Sequence, residues 1–371
     1  MLSFSIIASI VMLVINTFTF VCFLSRLEFL KKYKWIVAVL LLIITVLEAV
    51  YFNSLRRSLD SAAAIQILAS LVGVSFLLFV SSLFYLVFRI PLEVIKFDET
   101  RRKALKNILD ITIFIAAISW IAKAFVGGFS KPITRSVEVN IKNLKKPLSI
   151  AQMTDVHIGK VLGYNFMREC VDITNALNAD IIVITGDLVD LPVEQARKSL
   201  EPLKDLKAKY GVFYVSGNHE YFHGVRLINN HLRTLGITVL ENDSVEINGL
   251  INIAGINDLA GKRFGVMPPD VNAALKNTNK NLPTILLSHQ PKVVNSLRGD
   301  EKIDLILSGH THGGQIFPFG LLVLLEQPYL YGLYQHNEKT QIFVSSGTGY
   351  WGPPLRFLAP SEIVKLELKG V

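Results

Sequence analysis

Five short segments carry side chains able to hold a metal ion. They are Asp155 and His157 in "TDVHIG", Asp187 and Asp190 in "GDLVD", Asn218 and His219 in "GNHE", His289 in "SHQP", and His310 and His312 in "SGHTHGGQIF". Each follows an apolar run. Five of the eight histidines lie at these points, whereas His223, His231 and His336 do not. One histidine or one Gly–Asp pair would more often close a turn than bind an ion. Five apolar runs that all end in Asp, Asn or His exceed what turn chemistry asks for. Imidazole, carboxylate and carboxamide without thiolate suit divalent ions such as Zn, Mn or Fe. On extended backbone, Asp-x-His and His-x-His aim both side chains to one side. The set exceeds the four ligands of one tetrahedral ion and suffices for two ions sharing a carboxylate. Glycines beside the ligands let the chain turn tightly there.

The elements that position these residues read as strands alternating with helices. "RSVEVNIKNL" alternates apolar and polar residues, as a half-buried strand does. "LSIAQM", "ADIIVIT", "GVFYV", "TILL" and "DLILS" are short apolar runs, expected to be buried strands. Residues 165–177 have helical spacing, and "TQIFVSSGTGYWGPPLRF" and "EIVKLELKG" read as further strands. Mixed strands and helices predict a layered α/β domain with its site on the loops at strand ends.

The first third differs. The 371 residues are 51% hydrophobic and only 18% charged, with mean hydropathy +0.42, against about 25% charged in soluble domains. Four runs, 2–24, 35–52, 64–88 and 108–125, approach or exceed the roughly 20 apolar residues that cross a bilayer. The expected organisation is a transmembrane region over 1–130, a linker and first strand over 131–146, and the metal-site domain over 147–371. The first run lacks the positive start and small-residue cleavage site of a signal peptide. Lys and Arg number four in the first loop (Arg26, Lys31, Lys32, Lys34) and six in the third (from Arg89 to Lys106), ten in all. The other side has two (Arg56, Arg57) and five (from Lys131 to Lys146), seven in all. The positive-inside rule then places both termini and the metal-site domain outside the cytoplasm. Glu48, Asp110 and Lys123 lie near run ends, where they are expected to snorkel to the interface.

The net charge of +8 follows from these loops, and no arginine stripe with interleaved aromatics marks a nucleic-acid surface. Cys22 and Cys170 are the only cysteines, which excludes a disulfide framework and a cysteine-based metal site. Oligomeric state is not legible.

"DVH", "GDLVD", "GNHE", "SHQP" and "GHTHGG", in this order, resemble the calcineurin-like metallophosphoesterase superfamily over about residues 147–371. "GHTHGGQ" with the late "SSGTGYWGPPLRF" resembles a branch of bacterial membrane-associated or secreted phosphoesterases. The resemblance implies a four-layer αββα sandwich behind the transmembrane helices, with two divalent ions in the site. It implies that Asp155, His157 and His312 hold the first ion and that Asn218, His289 and His310 hold the second. It also implies that Asp187 bridges them and that His219 is the non-ligand histidine that protonates the leaving group or stabilises the transition state. The expected function is membrane-anchored hydrolysis of a phosphodiester or pyrophosphate, with lipid-linked phosphates among the substrates that anchoring would suit. The alternative is a non-catalytic envelope-binding protein that keeps the scaffold.

Other residues carry weaker signals. Asp190 is read either as an orienting partner or as a solvated turn carboxylate. Glu220 and Tyr221 read as a helix start in preference to a substrate contact, and Gln315 as a residue that ties its own turn or else contacts substrate. Arg356 is a candidate fork for a substrate anion. The apolar stretch 317–334 reads as a buried strand pair, or alternatively as a segment entering the bilayer interface with Tyr329, Tyr331 and Tyr334 at headgroup level.

Overall fold

The computed structural model describes residues 4–54 and 60–371. Leu2, at the start of the first predicted span, and Arg56 and Arg57 lie outside the described residues. The chain divides into two units, Met1–Phe129 with Gly352–Leu355, and Ser130–Trp351 with Arg356–Val371.

The first unit contains helices α1 (Phe4–Cys22), α2 (Lys34–Ser54), α3 (Ala62–Val94) and α4 (Glu99–Phe129). All lie in segments long and apolar enough to cross a membrane. α3 and α4 exceed the predicted spans because hydropathy marks only the oily part of a helix. The charged start of α4, rich in Arg, Lys, Leu and Ala, favours helix equally well. The burial pattern is inverted relative to a soluble bundle. Val14, Trp35, Leu42 and Ile67 face outward, while Asn16, Thr45, Glu48 and Asp110 are buried. The expectation that Glu48 and Asp110 snorkel is therefore corrected. Asn16 Nδ2 donates to Glu48 Oε2 at 2.7 Å and to Thr45 Oγ1 at 2.9 Å. Asp110 accepts from the Tyr85 hydroxyl at 2.7 Å and from the Glu28 amide at 2.9 Å. Partners on neighbouring elements make the bundle interior the better solvent for both carboxyls. Lys123 is exposed.

The second unit is built on twelve strands. They are β1 (Ile133–Ile141), β2 (Leu148–Met153), β3 (Ile181–Thr185), β4 (Val212–Val215), β5 (Thr238–Val239), β6 (Asp243–Ile247), β7 (Ile251–Gly255), β8 (Thr284–Leu287), β9 (Leu305–Ser308), β10 (Gly332–Gln335), β11 (Gln341–Val344) and β12 (Glu362–Gly370). They form two six-stranded mixed sheets, ordered β1-β12-β2-β3-β4-β5 and β10-β11-β9-β8-β7-β6. The helices are α5 (Tyr164–Ala176), α6 (Val193–Leu200), α7 (Asn218–His223), α8 (Val225–Thr234), α9 (Ala260–Phe264), α10 (Val271–Leu275) and α11 (Gly320–Val323).

Strand periodicity sorts the apolar runs between cores. Ile181 and Val183 enter a core shared with Ile285, Leu287, Leu305 and Leu307 of the other sheet. Ile182 and Ile184 point the other way, onto Met167 and Val171 of α5, Ala196 of α6 and Ile228 of α8. Leu286 and Ile306 likewise pack on Ala274 of α10 and on Val293. Strands buried on both faces need no polar alternation, which is why these runs are continuously apolar. The layers are helix, sheet, sheet, helix.

Two strand expectations are corrected. In "TQIFVSSGTGYWGPPLRF" only Gln341–Val344 is strand, and 317–334 contributes only the start of Gly332–Gln335. Pro318 removes an amide donor before Gly320–Val323 turns as a helix, and its leucines are exposed.

Candidate metal centre

Parallel pairing of β2 with β3 and of β3 with β4, and of β8 with β9, sets five C-terminal strand ends at one edge of the sandwich. Asp155 and His157 follow β2, Asp187 follows β3, and Asn218 and His219 follow β4. His289 follows β8, and His310 and His312 follow β9.

The backbone that presents them is not extended. Asp155, His157, Asp187, His310 and His312 all have positive φ, between 47° and 69°, while Thr311 between the last two is right-handed. The same-side aim expected from extended Asp-x-His and His-x-His comes instead from turns in the left-handed region, where non-glycine residues carry a local cost. Interlocked loops hold them there. The Asp155 amide donates to Gly186 O at 3.0 Å, and the His157 amide to Asp187 O at 3.1 Å. Glycine is needed for close approach at two places. A Cβ on Gly309 would run into Thr154 and Asp155, and one on Gly217 into Asp187.

The side chains converge as three groups that could hold a metal ion: Asp155, His157 and His312; His157, Asp187 and His219; and Asp187, His289 and His310. In the first, His157 Nε2 lies 3.0 Å from His312 Nε2, which is 3.4 Å from Asp155 Oδ1. In the last, His289 Nε2 lies 3.2 Å from each of Asp187 Oδ2, Asn218 Oδ1 and His310 Nδ1. The His289 ring is fixed from behind, since its Nδ1 lies 2.9 Å from the carbonyl of Thr185. A carboxylate oxygen, an amide oxygen and a second imidazole around one nitrogen require a positive charge among them. Burial opposes charging His289, but the carboxylates of Asp187 and Asp155 hold its pKa well above the usual histidine range. A proton can meet this demand, and so can a divalent cation, which the donor set fits. Asp187 belongs to two of the three groups, one with His157 and His219 and one with His289 and His310. Burial opposes its ionisation, yet the surrounding histidines hold its pKa well below the carboxylate range.

Asp190 lies behind the cluster. Its Oδ1 is 3.0 Å from His157 Nδ1 and 2.6 Å from His219 Nδ1. Burial works against this carboxylate, but His157 and His219 hold it ionised far below its usual range. An ionised carboxylate only accepts, so both Nδ1 atoms carry hydrogen and both Nε2 atoms face the site. Burial disfavours the His219 imidazolium, but Asp187 and Asp190 outweigh it and push the pKa up to about 10. The His219 ring also stands edge-on to Phe222 and Trp351, with centroids at 6.0 and 6.1 Å.

Some placements were not legible in the sequence. Glu220 does begin a helix, and its buried carboxylate also accepts from four amides: Gly217 at 2.6 Å, Leu188 at 2.7 Å, and Asp187 and Val189 at 3.1 Å. Thr154 Oγ1 lies 2.7 Å from Asp155 Oδ2. Asp258 is buried near His289, with Oδ1 accepting from Gln290 Nε2 and the Ala260 amide. Arg356 is only 1% exposed. Its guanidinium bonds the carbonyls of Gly349 and Ala359 and lies 3.2 Å from His312 Nδ1, so it braces the last ligand loop instead of offering an open fork to an anion. The Gln315 amide closes its own turn by donating to His312 O at 2.9 Å, and its side chain also ties to the Trp351 backbone through two 3.0 Å bonds.

Residues 148–314 match the model of the calcineurin-like phosphoesterases. An uncharacterized metallophosphoesterase of Helicobacter pylori is 46% identical over 295 residues, 80% of each chain. One of Campylobacter jejuni is 36% identical over 371 residues, 100% of this chain and 99% of its own. A protein of Danio rerio named as a transmembrane protein with a metallophosphoesterase domain is 35% identical over 257 residues, 66% of this chain and 59% of its own.

Proposed function

The chain belongs to the calcineurin-like metallophosphoesterase family, and from that premise we propose that it is a membrane-anchored, binuclear-metal hydrolase of phosphodiesters or pyrophosphates. One observation supports the reading: three convergent groups of potential metal ligands interlock through His157 and Asp187, and His219 lies 3.8 Å from Asp187 with its other ring nitrogen against Asp190. Asp155, His157 and His312 would hold one ion, Asn218, His289 and His310 the other, and Asp187 would serve both. The donor set suits Mn, Zn or Fe. Bound there, the ions supply charge neutralisation at the phosphoryl oxygens and an activated water for attack on phosphorus.

The chain's own residues do the rest. Asp190 fixes the His219 tautomer and favours the imidazolium. His219 therefore holds a proton on Nε2, on the side of the site. It gives that proton to the leaving oxygen as the phosphorus–oxygen bond breaks, work worth about 10²–10⁴-fold.

Four long apolar helices and relatives named as transmembrane proteins support an integral membrane protein. The lysine and arginine asymmetry supports an extracytoplasmic second unit, and the bacterial relatives suit a bacterial plasma membrane. A reporter fused to Val371 that is active only in the cytoplasm would overturn this orientation.

The function is tested on the full chain in detergent, by metal content and by hydrolysis of bis(4-nitrophenyl) phosphate. We expect two divalent ions per chain and hydrolysis that a chelator abolishes. His219→Asn should keep both ions and lose about 10²–10⁴-fold in kcat. A wild type that binds two ions yet hydrolyses no phosphate ester or anhydride would favour a non-catalytic scaffold.

A further inference from the structure

Exposed apolar side chains gather beside the metal centre. Directly after the last ligand loop, the charge-free run 317–325 exposes Phe317, Phe319, Leu321, Leu322, Leu324 and Leu325, the last 83% exposed. Two further exposed apolar side chains, Trp351 and Leu358, lie on the neighbouring loop. Hydrogen bonds tie that loop to the run's start. The Trp351 amide donates to Gln315 Oε1 at 3.0 Å, the Phe357 amide to Gln315 O at 2.9 Å, and the Phe317 amide to Phe357 O at 3.2 Å. On the other side of His219, exposed Phe222 packs edge-on against Phe264, with centroids at 5.2 Å. Apolar side chains thus rim the histidine expected to meet the leaving group.

An exposed apolar surface of this kind marks an interaction site. Its occupant follows from the chain's own connectivity. α4 ends at Phe129 and β1 begins at Ile133. Four residue steps span at most about 14 Å, so the second unit is held close to the bilayer that α4 spans. The composition fits that neighbour, with aliphatic and aromatic side chains, no charge between 317 and 325, and a tryptophan beside them.

We propose that residues 317–325, with Trp351 and Leu358, insert into the interface of the membrane in which the chain is anchored. The metal centre then opens at headgroup level, and the substrate is a phosphoester carried by a membrane amphiphile. The substrate half rests on the phosphoesterase reading, and the insertion half does not.

Both halves are read on the full chain in nanodiscs. For insertion, an environment-sensitive NBD label is placed at Leu325→Cys, in a Cys22→Ser background, and at the exposed helix position Lys198→Cys as control. The label at 325 should be quenched by nitroxide-bearing lipid and protected from aqueous iodide, and the label at 198 the reverse. Iodide quenching at 325 equal to that at 198 overturns insertion. For the substrate, Leu321→Asp with Leu325→Asp is assayed on hexadecyl 4-nitrophenyl phosphate in the bilayer and on its water-soluble ethyl analogue. The long-chain rate should fall tenfold or more, with the ethyl rate unchanged within twofold. Equal loss on both, or loss on neither, overturns the substrate half. If the wild type hydrolyses neither compound, the phosphoesterase reading fails, while the quenching result still decides insertion.

Discussion

Asp190 Oδ1 sits 2.6 Å from Nδ1 of His219, and this single contact turns the other ring nitrogen of the histidine proposed as the acid toward the site. Asp190→Asn replaces a charged acceptor by an amide. We expect kcat to fall about 10–100-fold, the range typical when an outer partner of a site residue is lost, with KM within threefold. The imidazolium of His219 would also lose the carboxylate that helps hold its pKa up. The acid form should then be lost at lower pH, so the alkaline limb of the kcat profile moves toward neutrality. An unmoved limb would remove Asp190 from the proton path.

Glu220 is expected to hold the ligand loops in place without touching substrate. Its carboxylate receives four amides from two loops, one carrying Asp187 and the other Asn218. In Glu220→Gln the amide oxygen can serve about two of them, and the NH₂ group opposes the rest. Buried amides left without acceptors cost about 1–3 kcal/mol each. The expected result is a clear drop in Tm of the second unit together with loss of bound metal. Full metal content at an unchanged Tm would contradict this.

Asp258 sets a pH dependence of stability. Burial pushes its carboxyl up to about 6, against the pull of His289, and its Oδ2 has no hydrogen-bond partner. A carboxyl with a raised folded pKa contributes stability that is fully present below its unfolded value, about 3.9, and lost as pH rises through about 6. Asp258→Asn keeps an acceptor for Gln290 and Ala260 and carries no charge. Its advantage over wild type should therefore grow between pH 4.5 and pH 8, by roughly 2 kcal/mol in stability on the pKa difference. A Tm difference that is the same at both pH values would show that Asp258 is neutral throughout or better solvated than its burial implies.

The positions of Asp155, Asp187, Asn218, His289 and His310 were legible because the chemistry is concentrated where apolar strands stop, and strand ends are easy to find. Their backbone conformation was not. A residue takes positive φ when a neighbouring loop compels it, as Gly186 O compels Asp155, and that neighbour lies about thirty residues away in sequence. Hydropathy located the four membrane helices but not the inward aim of Glu48 and Asp110, which depends on Asn16 and Tyr85 from other helices. Leu321 and Leu325 defeated periodicity for another reason. A short apolar run reads alike whether it is buried as strand or exposed as a turn of helix. Arg356 was legible as a donor, but only packing showed that its donors face inward.

The ligand groups have one further property. Asp155 and His157 come from the sheet containing β2, and His312 from the sheet containing β9. Asp187 lies on the first sheet, while His289 and His310 lie on the second. Any ion held by either group is therefore a rivet through both leaves of the sandwich. Sliding one sheet against the other would break the two centres together. Metal content then doubles as a strain gauge for the whole domain, since a substitution deep between the sheets, far from any histidine, would be felt first as a loosened rivet.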